Sequence, residues 1–262
     1  MFIDKIPLEV IFLATLIIFF ISMEFGYRIG NRLSESAKKV KEKITSANAS
    51  AVLTMLGFML VFSFGIVYSR FDSKKELVLD EANLIRTAWL RSDFLQDKDR
   101  VETEKLLINY VDIRINAANE KDLSLIQNLL DQSNEIQMKL WNIAVANARI
   151  DMNSDIGALY IEAVNEMINL QSKRVVLGIQ ARLPLAIWIM LFSLVIFGMI
   201  CVGYETAINS SSKISWLTPI MILSFSLVIC IIASLDRPGS SIIVISQQPL
   251  IDLKNWISVS GN

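Results

Sequence analysis

The side chains that most often carry out chemistry are scarce in this chain, and those present sit in surroundings that suppress reactivity. Its 262 residues include no histidine, which removes the usual zinc, copper or iron ligand and the usual proton acceptor near neutral pH. The two cysteines, Cys201 and Cys230, fall one each inside long apolar runs, where a thiol reads as a small core side chain. No glycine-rich phosphate loop, nucleophile elbow or cysteine pair at metal-ligand spacing occurs. The sequence therefore predicts no enzyme, no cofactor and no metal site. What remains is carboxylate chemistry, chiefly Asp80 and Glu81 with Asn83 nearby. Such a cluster attracts cations when gathered in a ring, and otherwise forms a solvated or inter-subunit polar face.

The elements that hold these residues are set by the distribution of apolar sequence. No charge occurs between Lys43 and Arg70, from Leu183 to Tyr204, or from Ile214 to Leu235. Roughly 20 apolar residues carry a helix across the hydrocarbon core, so each run suffices. A fourth run, Ile6 to Tyr27, carries Glu9 and Glu24 near its two ends, where a charge stays wet at headgroup level. Four spans are expected, at about 6–27, 47–69, 183–204 and 214–235. A hydrophobic content of 53% and a mean hydropathy of +0.48 agree. The first span lacks the features of a cleaved signal and is expected to remain as an anchor. A net charge of −1 excludes the clustered basic excess of a nucleic-acid binder; the expected surroundings are a lipid bilayer.

Between the pairs of spans lies a polar region suited to long helices. No proline occurs between Leu8 and Leu183, and from Arg70 to Arg182 the only glycines are Gly157 and Gly178. Without these breakers helices run far, and Ile126, Leu129, Leu130, Ile136, Leu140 and Ile143 recur at helical spacing. The second span is expected to continue from Ser69 to Leu95, turn at Asp97–Asp99, and be followed by helices over 100–118, 123–150 and 154–181. The predicted fold class is an all-α membrane protein. Residues 1–69 form the first transmembrane pair, 70–182 a helical domain, 183–235 the second pair and 236–262 a tail. Basic residues flanking the domain and those on the opposite side number eight and seven, so charge asymmetry leaves the orientation open.

Across the second span, Leu60-Val61-Phe62-Ser63-Phe64-Gly65-Ile66-Val67-Tyr68-Ser69-Arg70-Phe71 resembles the second membrane helix of bacterial bestrophins, with an L-G-F step and then a Y-x-R-[WF] step. Further on, Ser154-Asp155-Ile156, Arg182-Leu183-Pro184-Leu185, Trp216-Leu217-Thr218-Pro219, Leu235-Asp236-Arg237-Pro238-Gly239 and Pro249-Leu250 resemble later family elements in order and spacing. Arg70-Phe71-Asp72 with Glu81-Ala82-Asn83 is also similar to bacterial bestrophin-like membrane proteins. Val61 replaces the family glycine, and the acidic calcium-binding run of animal bestrophins is absent.

The resemblance implies a homopentamer in the bacterial inner membrane, multi-pass, passing small inorganic ions through a central pore, with residues 70–182 as a cytoplasmic vestibule. It places the apolar constriction on Thr54, Phe58 and Phe62 and a cytoplasmic aperture on Ile156. Asp80 and Glu81 would then form an acidic ring in the vestibule. Residues at i, i+4 and i+8 share a helical face, and apolar rings gate by dewetting. The competing expectation is a non-conducting sensor or scaffold whose helical domain binds a partner or ligand.

Overall fold

The computed structural model describes residues 6–33, 38–120, 122–209, 217–237 and 243–260, and among them every regular element is helical. In chain order these are α1 (Leu8–Leu33), α2 (Lys38–Ser92), α3 (Asp97–Asn119), α4 (Leu123–Ile150) and α5 (Asp155–Val175). A π-type turn (Val176–Gln180), α6 (Leu185–Asn209), α7 (Leu217–Asp236) and α8 (Gln248–Ser260) follow. Trp216, Pro238 and Gly239, from two of the motifs above, lie outside the described residues. Four helical stretches are long and apolar enough to cross a membrane. The protein is an all-α membrane protein.

The chain divides into two compact units and passes from one to the other between Ser69 and Arg70 and again between Ala181 and Arg182. In the first unit α1 packs on α6 and α7. Small residues bring α1 and α6 into backbone contact. A Cβ at Gly26 would run into the Ile200 carbonyl, and one at Gly203 into the Met23 carbonyl. Gly30 lies against Ala207 in the same way. In a membrane, where lipid is as apolar as leucine, such close approach is a main source of helix association. Phe19, Met23, Leu191, Val195 and Met199 fill the interior of this unit.

The ends of the helices in this unit are tied by polar contacts. The Leu183 backbone N–H donates to Asp236 Oδ1 at 2.7 Å, and the Arg182 guanidinium donates to the Asp236 carbonyl. Arg237 Nη1 donates to the Ile6 carbonyl at 2.5 Å. Two of the motifs named above, Arg182-Leu183-Pro184 and Leu235-Asp236-Arg237, thus meet in space. Pro7 and Pro184 directly precede α1 and α6, while Pro219 and Pro249 lie in the first turns of α7 and α8. There the missing N–H costs nothing.

The second unit is a helical domain around Val78, Ile85, Leu107, Tyr110, Leu140, Tyr160 and Met167. Its local signals are ordinary helix punctuation. Asp122 caps α4 by accepting the Ser124 N–H at 2.8 Å, and Ser154 Oγ caps α5 by accepting the Gly157 N–H at 3.1 Å. The turn between α2 and α3 falls at 93–96 rather than at Asp97–Asp99. Asp97 and Asp99 instead occupy the first turn of α3, where negative charge favours the helix N-terminus. Nor does α5 run to residue 181: it passes into the π-type turn and ends in extended backbone at Ala181. The tail contributes α8, whose Leu250, Leu253 and Ile257 enter the domain core. Arg86 lies over the Trp256 ring at 4.4 Å, and Lys254 Nζ pairs with Asp112 at 2.6 Å.

Candidate functional site

Thr54, Phe58 and Phe62 lie in the membrane half of α2, and all three point away from the rest of their unit. Phe58 is 70% exposed and Phe62 53%. The opposite side of the same stretch, Leu56, Leu60, Ser63 and Val67, is buried. A helix turns about 100° per residue, so Ala47, Ala51 and Gly65 fall within about 40° of Phe58 on the exposed side. They too are exposed, and nothing lies within 4 Å of where a Gly65 Cβ would be. The free face of α2 thus carries two phenyl rings and small residues, with the large side chains of Met55 and Val61 exposed on either side of Phe58. Thr54 is accommodated without a stranded polar group, since its Oγ1 donates to the Ser50 carbonyl at 2.8 Å and the methyl is left to face outward.

In the helical domain the two carboxylates expected in one ring part company. Asp80 is exposed, but Glu81 is fully buried. Glu81 Oε1 accepts from Arg114 Nε at 2.9 Å and from the Tyr110 hydroxyl at 3.1 Å. Glu81 Oε2 pairs with Arg174 Nη1. The cause is helical phase. Val78, Glu81, Ala82 and Ile85 form one stripe, and Val78, Ala82 and Ile85 put it in the core. Glu81 therefore cannot take part in an exposed acidic ring. The exposed acidic face consists of Asp72, Glu76 and Asp80, residues four apart on one side of the helix. Asp80 also lines a cleft of about 360 Å³ with Asn83, Glu166, Asn169 and Lys173.

Around Glu81 the network continues through neutral groups. The single Tyr110 proton is shared between Glu81 Oε1 and Gln171 Oε1, the latter at 2.9 Å, and the hydroxyl accepts from Gln137 Nε2 at 3.2 Å, while Gln171 Nε2 donates to Asn134 at 2.8 Å. Burial pushes the Tyr110 hydroxyl pKa up, opposed by the nearby Arg114 charge and the Gln137 hydrogen bond. Sequence reading missed this network, although a signal existed. Leu107, Tyr110, Val111 and Arg114 on α3, and Met167, Leu170, Gln171 and Arg174 on α5, each carry polar residues on a buried stripe. Ile156, in the first turn of α5, is 54% exposed with Met152 and Leu159 also exposed nearby in sequence. It is not a core residue of the domain.

No family model and no curated protein matches the chain in sequence. Its fold is similar to that of a membrane protein solved by crystallography, with a TM-score of 0.57 over 96% of each chain at 15% identity. At that identity the likeness is one of fold. Together with the four apolar helices it defines the class: a multi-pass α-helical membrane protein.

Proposed function

We propose that the chain is the subunit of a bestrophin-like homopentameric channel that passes small inorganic ions passively through a central pore in the bacterial inner membrane. The observation that carries this reading is the free face of α2, where Thr54, Phe58 and Phe62 sit at i, i+4 and i+8 and turn away from their own bundle. A helix surface meant only for lipid gains nothing from Ala47, Ala51 and Gly65 beside the two phenyl rings. Five copies around an axis would keep a path open along the small residues and narrow it at stacked aromatic rings. The helical domain, 70–182, would face the cytoplasm as a vestibule. Asp72, Glu76 and Asp80 would then hold negative charge along its wall and raise the local cation concentration, with Ile156 forming the cytoplasmic aperture.

The test uses the purified full chain in detergent and in proteoliposomes. A fivefold particle is expected by electron microscopy. Phe58→Ala/Phe62→Ala removes ten phenyl groups from such a particle, so ion flux should rise while the pentamer persists. Both residues are exposed in the single subunit, and the subunit's own fold should tolerate their loss. An intact pentamer in which neither wild type nor variant conducts would favour a sensor or scaffold. A variant that falls apart without conducting would place the rings between subunits instead of on the axis.

A further inference from the structure

The buried ion-pair network of the helical domain is unbalanced. Two guanidinium groups, on Arg114 and Arg174, meet the single carboxylate of Glu81. The remaining network members, Tyr110, Gln137, Gln171 and Asn134, are neutral and add no negative charge. Arg114 is only 5% exposed. Its Nε is taken by Glu81. Arg174 spends Nη1 on Glu81 and reaches Gln247 Oε1 with Nη2 only at 3.5 Å. A buried cation without full compensation is costly, and a guanidinium keeps its charge at any physiological pH.

Both arginines line one small pocket of about 110 Å³, open to the surface and walled by Ala117, Ala118, Ile126 and Leu130 together with Val175 and Ile179. Apart from the arginines this wall is apolar, so the guanidinium groups are the only side-chain donors that line it. We infer that this cavity holds a small inorganic anion, bound between Arg114 and Arg174, that completes the charge balance left by Glu81. The volume suits a halide or a small oxyanion better than a bulky organic anion. Such an occupant would join α3 to α5 and would stabilise the domain whenever the anion is present. The inference concerns the interior of one subunit and is independent of whether the protein conducts ions.

The full-length protein in detergent is melted at constant ionic strength while chloride or sulfate replaces gluconate, a bulky organic anion. A saturable rise in Tm with chloride or sulfate and none with gluconate is expected. Ala118→Leu, at the exposed edge of the cavity, narrows it without touching a charge. This variant should melt near wild type in gluconate and lose the anion-specific rise. Arg114→Gln should lose the rise as well, and a bromide-soaked crystal should show anomalous density beside the Arg114 Nη groups of the wild type only. A Tm indifferent to the anion, or a rise that survives both substitutions, would overturn the assignment.

Discussion

The two units solve the same problem, holding long helices together, with opposite materials. In the membrane unit, α1 and α6 touch through glycines and an alanine, backbone against backbone at Gly26 and Gly203 and against the Ala207 methyl at Gly30. In the helical domain an apolar core surrounds a buried carboxylate, two arginines, a tyrosine and two amides. The difference follows from the surroundings. Lipid offers no reward for burying another leucine, so close van der Waals approach has to bring the helices together. Water rewards every buried methyl group, and a domain with that driving force can carry an internal polar network that specifies how the helices meet. The exposed faces invert accordingly: phenyl rings at Phe58 and Phe62 in the first unit, carboxylates at Asp72, Glu76 and Asp80 in the second.

The sharpest way to break this contrast is to remove the carboxylate. Glu81→Ala removes the one carboxylate that Arg114 and Arg174 share and should cost about 3–5 kcal/mol. Chemical or thermal unfolding would show a large loss, while Glu81→Gln, which keeps an acceptor, should lose less. Equal losses for the two variants would mean that charge is not what the site supplies.

The membrane unit should answer to size and not to charge. Gly203→Leu forces a side chain against the Met23 carbonyl and should cost at least about 1–3 kcal/mol by overpacking. Gly57→Leu, where a Cβ meets nothing within 4 Å, is the matched control and should leave the unit's stability close to wild type. Detergent stability assays on the pair decide the matter, and similar behaviour would show that α1 and α6 do not depend on close approach.

The smallest effect concerns alkaline pH. Burial raises the Tyr110 pKa above its ordinary value. The neutral hydroxyl is therefore favoured in the folded state, and its contribution is fully present below about pH 10, the ordinary tyrosine value. As pH climbs beyond that, the unfolded chain ionises first and stability falls. Melting between about pH 9 and 11 should show this decline, and Tyr110→Phe should lessen it while lowering stability at neutral pH, the remainder belonging to Tyr160, which burial pushes up to about 12. An unchanged slope in the variant would remove Tyr110 from the account.

Much of the architecture was legible because it depends on local properties. Four charge-free or nearly charge-free runs dictate four apolar helices, and a proline-free middle dictates long ones, whatever they pack against. The α4 boundaries, Leu123–Ile150, follow from Asp122 as cap and from apolar spacing. The end of α5 did not follow in the same way, since a π-type turn at Val176–Gln180 depends on what surrounds it. Nor did α8, because a short tail helix acquires its stability from Leu250, Leu253 and Ile257 entering a core that only the folded domain provides.

The candidate site divides along the same line. Spacing alone sets Thr54, Phe58 and Phe62 on one face of a membrane helix, since 3.6 residues per turn leave no other arrangement. Whether that face looks inward or outward is a tertiary matter, decided when Leu56, Leu60 and Val67 took the buried side. For Asp80 and Glu81, adjacency in sequence suggested a shared role, yet neighbours on a helix point about 100° apart. One turned to the surface, and the other went into the core, where Arg114 and Arg174 from distant parts of the chain met it. Local sequence determined which helices form and which residues share a face. Only the packing of those helices decided which faces stay free and which charges find each other, because both depend on groups far apart along the chain.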